Sequence, residues 1–164
     1  MAVDEIGHLL AANRRFAEGR ARADEAPPRL GLAVVTCMDA RIDTFAALGL
    51  QVGEAHVLRN AGGRVTDDVL RSLALSSNVL GVHTVAVVEH TRCGLAGVTD
   101  EDLRDQTGAS MAFLPIADHE ASLREDVAVL AATPFLEPIT TIAGLLYDVG
   151  TGELSEVVRW TRPS

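Results

Sequence analysis

Two runs, 31–37 (GLAVVTC) and 83–90 (HTVAVVEH), are apolar at successive positions rather than at alternate ones. A strand with that pattern must be covered on both faces, which happens where helices flank a parallel sheet. The segments around them fit this requirement. Positions 43–50 read as a short helix, and 54–60 (EAHVLRN) as another strand that ends at Ala61, Gly62 and Gly63. Thr66 is an N-cap with Asp67 and Asp68 in the first turn, followed by the stripe Val69, Leu70, Leu73, Leu75, Val79 and Leu80. A capped acidic start at Thr99 precedes a clearer helix over 118–132, and Pro134 and Pro138 bracket a turn. Strands over 140–149 and 153–160 are joined by Gly150, Thr151 and Gly152 as a hairpin. The expected fold is α/β: a mainly parallel central sheet with an antiparallel edge strand, flanked by helices, with an extended N-terminal helix.

That N-terminal helix spans 3–19, with Ile6, Leu9, Leu10 and Phe16 on its stripe, and forms an arm over 1–19. The 20–30 stretch, interrupted by Pro27 and Pro28, reads as a linker within one domain over 1–164. An amphipathic helix on a tether must bury its stripe against its own body or against another subunit. The chain carries 14 basic and 23 acidic residues, a net charge of −9, so nucleic acid and anionic membranes are not expected partners. Acidic residues stand where a signal peptide carries lysines, and no apolar run is long enough to span a bilayer. The expected location is the cytoplasm, where two cysteines stay reduced and are available for metal binding or catalysis.

The two cysteines, Cys37 and Cys93, follow the ends of expected buried strands, and His90 ends the strand that precedes Cys93. Sites in open α/β sheets form outside the carboxyl ends of the strands. Two thiols and an imidazole are a donor set that suits Zn²⁺, and three ligands leave a coordination position for chemistry. Taken singly, each cysteine reads more readily as inert core packing than as a ligand. The run Cys37-Met38-Asp39-Ala40-Arg41 shifts the balance, because two charges directly after a buried strand must be paired or coordinated. Asp39 and Arg41 can satisfy each other through bidentate geometry, leaving an ionised carboxylate beside the thiol. Met38, Ala61 and Gly62 are candidates for a narrow apolar pocket. His56 and His83 read as satisfied strand histidines, and His8 and His119 as residues on solvated helix faces.

The segments CMDAR (37–41), RNAGG (59–63) and HTRCG (90–94) together resemble the signature of the β-class carbonic anhydrases, in the compact prokaryotic form. The resemblance implies that Cys37, His90 and Cys93 bind one zinc ion per subunit. It implies that Asp39 and Arg41 form a catalytic dyad, with Asp39 becoming a fourth ligand in a closed state. The implied reaction is reversible hydration of CO₂ to bicarbonate by attack of zinc-bound hydroxide. Hydrolysis of CS₂ or COS on the same scaffold, and a non-catalytic zinc protein, are the alternatives. The resemblance also implies a homodimer or tetramer, with the N-terminal helix wrapped over a neighbour. Two positions depart from the pattern. Arg92 stands before the second cysteine, where an acidic or small polar residue is usual. Val34 occupies the place of a tryptophan that an allosteric bicarbonate site in some members requires.

Overall fold

The computed structural model describes residues 4–20 and 25–163; the first three residues of the expected arm and positions 21–24 of the linker lie outside these. The chain runs α1 (Glu5–Glu18), β1 (Leu32–Cys37), α2 (Thr44–Leu48), β2 (Ala55–Asn60), a 3₁₀ turn (Ala61–Gly63), α3 (Asp67–Asn78) and β3 (Thr84–His90). It continues through α4 (Asp100–Thr107), α5 (His119–Ala132), a second 3₁₀ turn (Pro134–Leu136), β4 (Thr141–Tyr147) and β5 (Leu154–Thr161). One sheet holds the strands in the order β2-β1-β3-β4-β5, all pairs parallel except β4–β5. This is the expected α/β architecture with its antiparallel edge pair.

Side chains follow the strand register. Ala33 pairs with Val85 and Val35 with Val87, so all four point to one face, where Val69 and Leu73 of α3 and Leu123, Val127 and Leu130 of α5 join them in a single core. Local chemistry fixes where the helices begin. Asp43, Thr66, Thr99 and Asp118 each accept a backbone N–H of their own first turn, and Thr99 and Asp102 complete a capping box.

Some expected packing is different. α3 ends at Asn78, and Leu75 and Val79 of the expected stripe are exposed because they turn away from the Val69–Leu73 face. His83 precedes β3 and is exposed, whereas His56 is satisfied by the Ser76 hydroxyl at 2.9 Å. α1 buries none of its residues, and Ile6, Leu9, Leu10 and Phe16 are all more than half exposed.

The chain reverses direction in the sheet between β1 and β3: β2 lies on one side of β1, and the later strands lie on the other. The carboxyl ends of β1 and β3 therefore form the crevice of the fold. The 3₁₀ turn after β2 is pressed against it. A Cβ on Gly63, whose φ is +71°, would lie 2.9 Å from the Cys37 nitrogen and 3.0 Å from the Val88 carbonyl oxygen. Only glycine satisfies both the left-handed backbone and the contact. Gly63→Ala is expected to destabilise the fold by about 2–4 kcal/mol in urea unfolding at fixed protein concentration. A change below about 0.5 kcal/mol, the usual range for surface substitutions, would mean that the close approach does not constrain the fold.

Candidate metal centre

Parallel pairing of β1 with β3, in a register that sets Thr36 beside Val88, brings the ends of the two strands together. Cys37 closes β1 and His90 closes β3, and a tight turn carries Cys93 back over the crevice. All three are buried, and one donor atom from each lies within 4.8 Å of the others. The two sulfurs stand 3.9 Å apart. Near-tetrahedral zinc with Zn–S bonds of ~2.3 Å separates two thiolates by ~3.8 Å, so the spacing suits the ion.

The imidazole gives an independent test of fit. His90 Nδ1 lies 2.9 Å from the Thr91 carbonyl oxygen, which can only accept, so Nδ1 carries the proton. Nε2 is then a bare lone pair, fully buried and without a hydrogen-bond partner. An unsatisfied buried acceptor is costly, and a cation between it and the two sulfurs removes that cost. Burial also lowers the His90 pKa, which favours the neutral, ligating form. Burial pushes the Cys93 thiol upward; a bound metal reverses this by stabilising the thiolate. Ile42, Leu95 and Ile116 pack around the two cysteines as a dry wall.

Asp39 stands at the mouth, with one carboxylate oxygen 3.7 Å from His90 Nε2. The Arg41 backbone N–H and Nε both donate to its Oδ1 at 2.9 Å, and Arg41 Nη2 donates to Oδ2 at 2.6 Å. The backbone bond spans two residues, an Asx-turn that explains why the two charges are spaced as they are. These hydrogen bonds hold the Asp39 pKa far below the usual carboxylate range. The backbone of the loop is braced in turn by Arg59 of β2, which donates to the carbonyls of Cys37 (2.9 Å) and Asp39 (2.7 Å). A cavity of about 310 Å³ opens on the cluster. The three expected pocket residues, Met38, Ala61 and Gly62, line it together with Asp39, Gly94 and Leu95.

A second set of buried charges was not legible in the sequence. Glu89, wholly buried beside His90, accepts from the Ser122 hydroxyl at 2.6 Å and pairs with His119 Nδ1 at 2.7 Å. His119 is thus half-buried and bonded to an interior carboxylate, rather than a residue free on a solvated face, because the first turn of α5 lies over the end of β3. Arg64, which follows the glycine turn, pairs with Asp126 through two nitrogens and donates to the Leu114 carbonyl. Burial opposes the charge on both partners, but hydrogen bonds to Asp126 keep the Arg64 guanidinium protonated. Removing one member of such a buried pair costs about 3–5 kcal/mol, so this network fixes the turn and α5 against the sheet behind the site. A basic residue just after a glycine turn, with an acidic one in the middle of a helix, was the one available signal.

Comparison with known proteins agrees with this geometry. A sequence model of the carbonic anhydrase family matches residues 32–133. The β-carbonic anhydrase 1 of Mycobacterium tuberculosis is 40% identical over 154 residues, covering 90% of this chain and 94% of that protein. The crystal structure of a carbonic anhydrase from Streptococcus mutans superposes with a TM-score of 0.87 at 40% identity, covering 96% of this chain and all of that one. A carbon disulfide hydrolase from Acidithiobacillus thiooxidans is also similar, at 30% identity over 78% of this chain and 77% of its own length. With the fold, the buried donor set and the full-length similarity all in agreement, the chain belongs to the β-carbonic anhydrase family.

Proposed function

We propose that the protein catalyses the reversible hydration of CO₂ to bicarbonate and a proton, using zinc held by Cys37, His90 and Cys93. The observation that carries this reading is the orphaned His90 Nε2, buried opposite two thiols and beside a carboxylate that a guanidinium keeps ionised. Bound there, zinc supplies the Lewis acidity that makes hydroxide available near neutral pH. Asp39, acceptor-only while ionised, takes a hydrogen bond from the attacking water and so aims its lone pair into the cavity. Arg41 keeps Asp39 ionised and fixes its plane. While Arg41 holds both carboxylate oxygens, Asp39 serves as the orienting group rather than as a fourth ligand. Ala61, Gly62 and Leu95 offer a small apolar wall, which suits a linear neutral substrate and needs no charge to attract it.

We infer further that a second copy of the chain covers α1, giving a homodimer or a pair of such dimers. An isolated helix of 14 residues is marginal in water, and this one exposes its whole apolar stripe. Among the described residues no helix is long and apolar enough to cross a membrane, so the stripe calls for a protein partner rather than a spanning role. A reducing cytoplasm is the compartment that fits two unbridged cysteines.

Stopped-flow CO₂ hydration on zinc-quantified protein tests the activity. Wild type is expected to turn over with one zinc per chain. Arg41→Ala should lower kcat/KM on the order of 10–100-fold with zinc retained, and Cys37→Ala should lose the metal. Full zinc loading with no CO₂ turnover, or faster turnover of CS₂ or COS than of CO₂, would overturn the proposal. The carboxyl ¹³C resonance of Asp39 should show no titration step near the ordinary value of 3.8. Because its folded pKa is depressed, the stability it contributes is complete above that value and is lost only at more acidic pH. A step near 3.8 would show that Arg41 does not hold it. In sedimentation, Leu9→Asp with Phe16→Asp should convert a dimer or larger species to monomer; an unchanged size would rule out α1 as the contact.

A further inference from the structure

Among the described residues, two non-glycine positions have a positive φ, Arg92 and Leu114, both at 56°. An L-residue with a side chain of this size adopts that region only when its surroundings impose it. Both turn a carbonyl onto a guanidinium that also binds a carboxylate. Leu114 O accepts from Arg64 Nη1 at 2.9 Å, and Arg92 O accepts from Arg41 Nη2 at 2.9 Å. The second contact reaches the Asp39–Arg41 pair. Arg41 has a side chain about half exposed, and an ion pair in that position is loosely held in water unless something else anchors it. The Arg92 carbonyl is that anchor.

What imposes the left-handed backbone is the segment between β4 and β5. Thr91 N–H donates to the Tyr147 carbonyl at 3.0 Å, and Val149 N–H donates to the Thr91 hydroxyl at 3.1 Å. The Arg92 side chain lies over Gly150, where a Cβ would come within 2.7 Å of its Nη2. Asp148, beside it, accepts the N–H groups of Gly150 and Thr151 and shapes the turn. The hairpin at the far side of the sheet thus supports the loop that carries Cys93, and through Arg92 it reaches Arg41.

We propose that Arg92 is a positioning residue for Arg41, acting through its backbone carbonyl, with the β4–β5 turn as the support that holds it left-handed. The inference rests on the reading of Asp39 and Arg41 as the catalytic pair, but its first test does not require turnover. In ¹⁵N-labelled protein, the Arg41 Nε–H resonance, assigned by its loss in Arg41→Lys, reports how tightly the guanidinium is held. Arg92→Val, whose β-branched side chain resists the left-handed region, should speed hydrogen exchange at this group by about tenfold or more. It should also lower kcat by about tenfold with zinc content unchanged. Arg92→Gly, which enters the region freely and keeps the carbonyl, should lose clearly less in both readouts. Thr91→Ala, which removes only the hydroxyl that Val149 uses, should move both readouts the same way as Arg92→Val and serves if that variant does not fold. Unchanged exchange at Arg41 in Arg92→Val or Thr91→Ala would overturn the proposal, as would an Arg92→Gly loss equal to that of Arg92→Val. Faster exchange without CO₂ turnover in any form of the protein would instead sustain the positioning role and reject the reaction assigned to the site.

Discussion

Parallel pairing of β1 with β3 is the constraint on which the rest depends. The two strands are adjacent in the sheet but separated in sequence by β2 and α3, so their carboxyl ends meet only because the chain reverses its order there. That reversal sets Cys37 and His90 side by side on rigid backbone, buried on both faces of the sheet. Cys93 needs only a turn of two residues, Thr91 and Arg92, to complete the donor set. Groups placed by strands are held more tightly than groups placed by loops, and a metal site tolerates little error in ligand position.

Around that pairing, the buried charged side chains are matched with one another, and among the described residues three buried side-chain atoms lack a partner: Thr44 Oγ1, Asn60 Oδ1 and His90 Nε2. Arg64, Asp126, Glu89, Ser122 and His119 satisfy one another behind the site, and Arg59 and Arg41 satisfy carbonyls and a carboxylate at its mouth. His90 Nε2 is left unpartnered in the midst of this network. An interior that pairs its other charges has no reason to leave a buried lone pair facing two sulfurs unless a cation completes it. The same arrangement separates roles. The cysteines and histidine are buried at the floor of the cavity, while the Asp39–Arg41 pair stands at its edge, with Arg41 about half exposed.

Much of this was legible in the sequence because it is written in short range. Non-alternating apolar runs announced buried parallel strands, and capping residues announced where helices start. The placing of Asp39 and Arg41 directly after a buried strand announced their pairing, since charges there must be matched; the Asx-turn that closes over the two residues emerged only with the structure. Long-range partners were not legible. Nothing in the local pattern around His119 distinguishes a solvated histidine from one bonded to a carboxylate thirty positions earlier in the chain. Leu75 and Val79 are apolar but lie on the outer side of the helix end, away from the buried Val69, Leu73, Ser76 and Ser77, and apolar character alone did not show which face α3 turns to the sheet. The pairing of Arg64 with Asp126 depends on the packing of α5, and the left-handed backbone at Arg92 depends on the β4–β5 turn. Both are products of tertiary structure.

The central claim is that two sulfurs and one imidazole hold the metal while Arg41 retains Asp39. X-ray absorption at the zinc edge of the purified protein measures this directly. The account predicts two sulfur scatterers at ~2.3 Å and two nitrogen or oxygen scatterers at ~2.0–2.1 Å, one of them from imidazole. It also predicts that this spectrum stays the same in Asp39→Asn, since the carboxylate is not a ligand while Arg41 holds it. A shell with fewer than two sulfurs, or a first shell that changes when Asp39 is replaced, would contradict it.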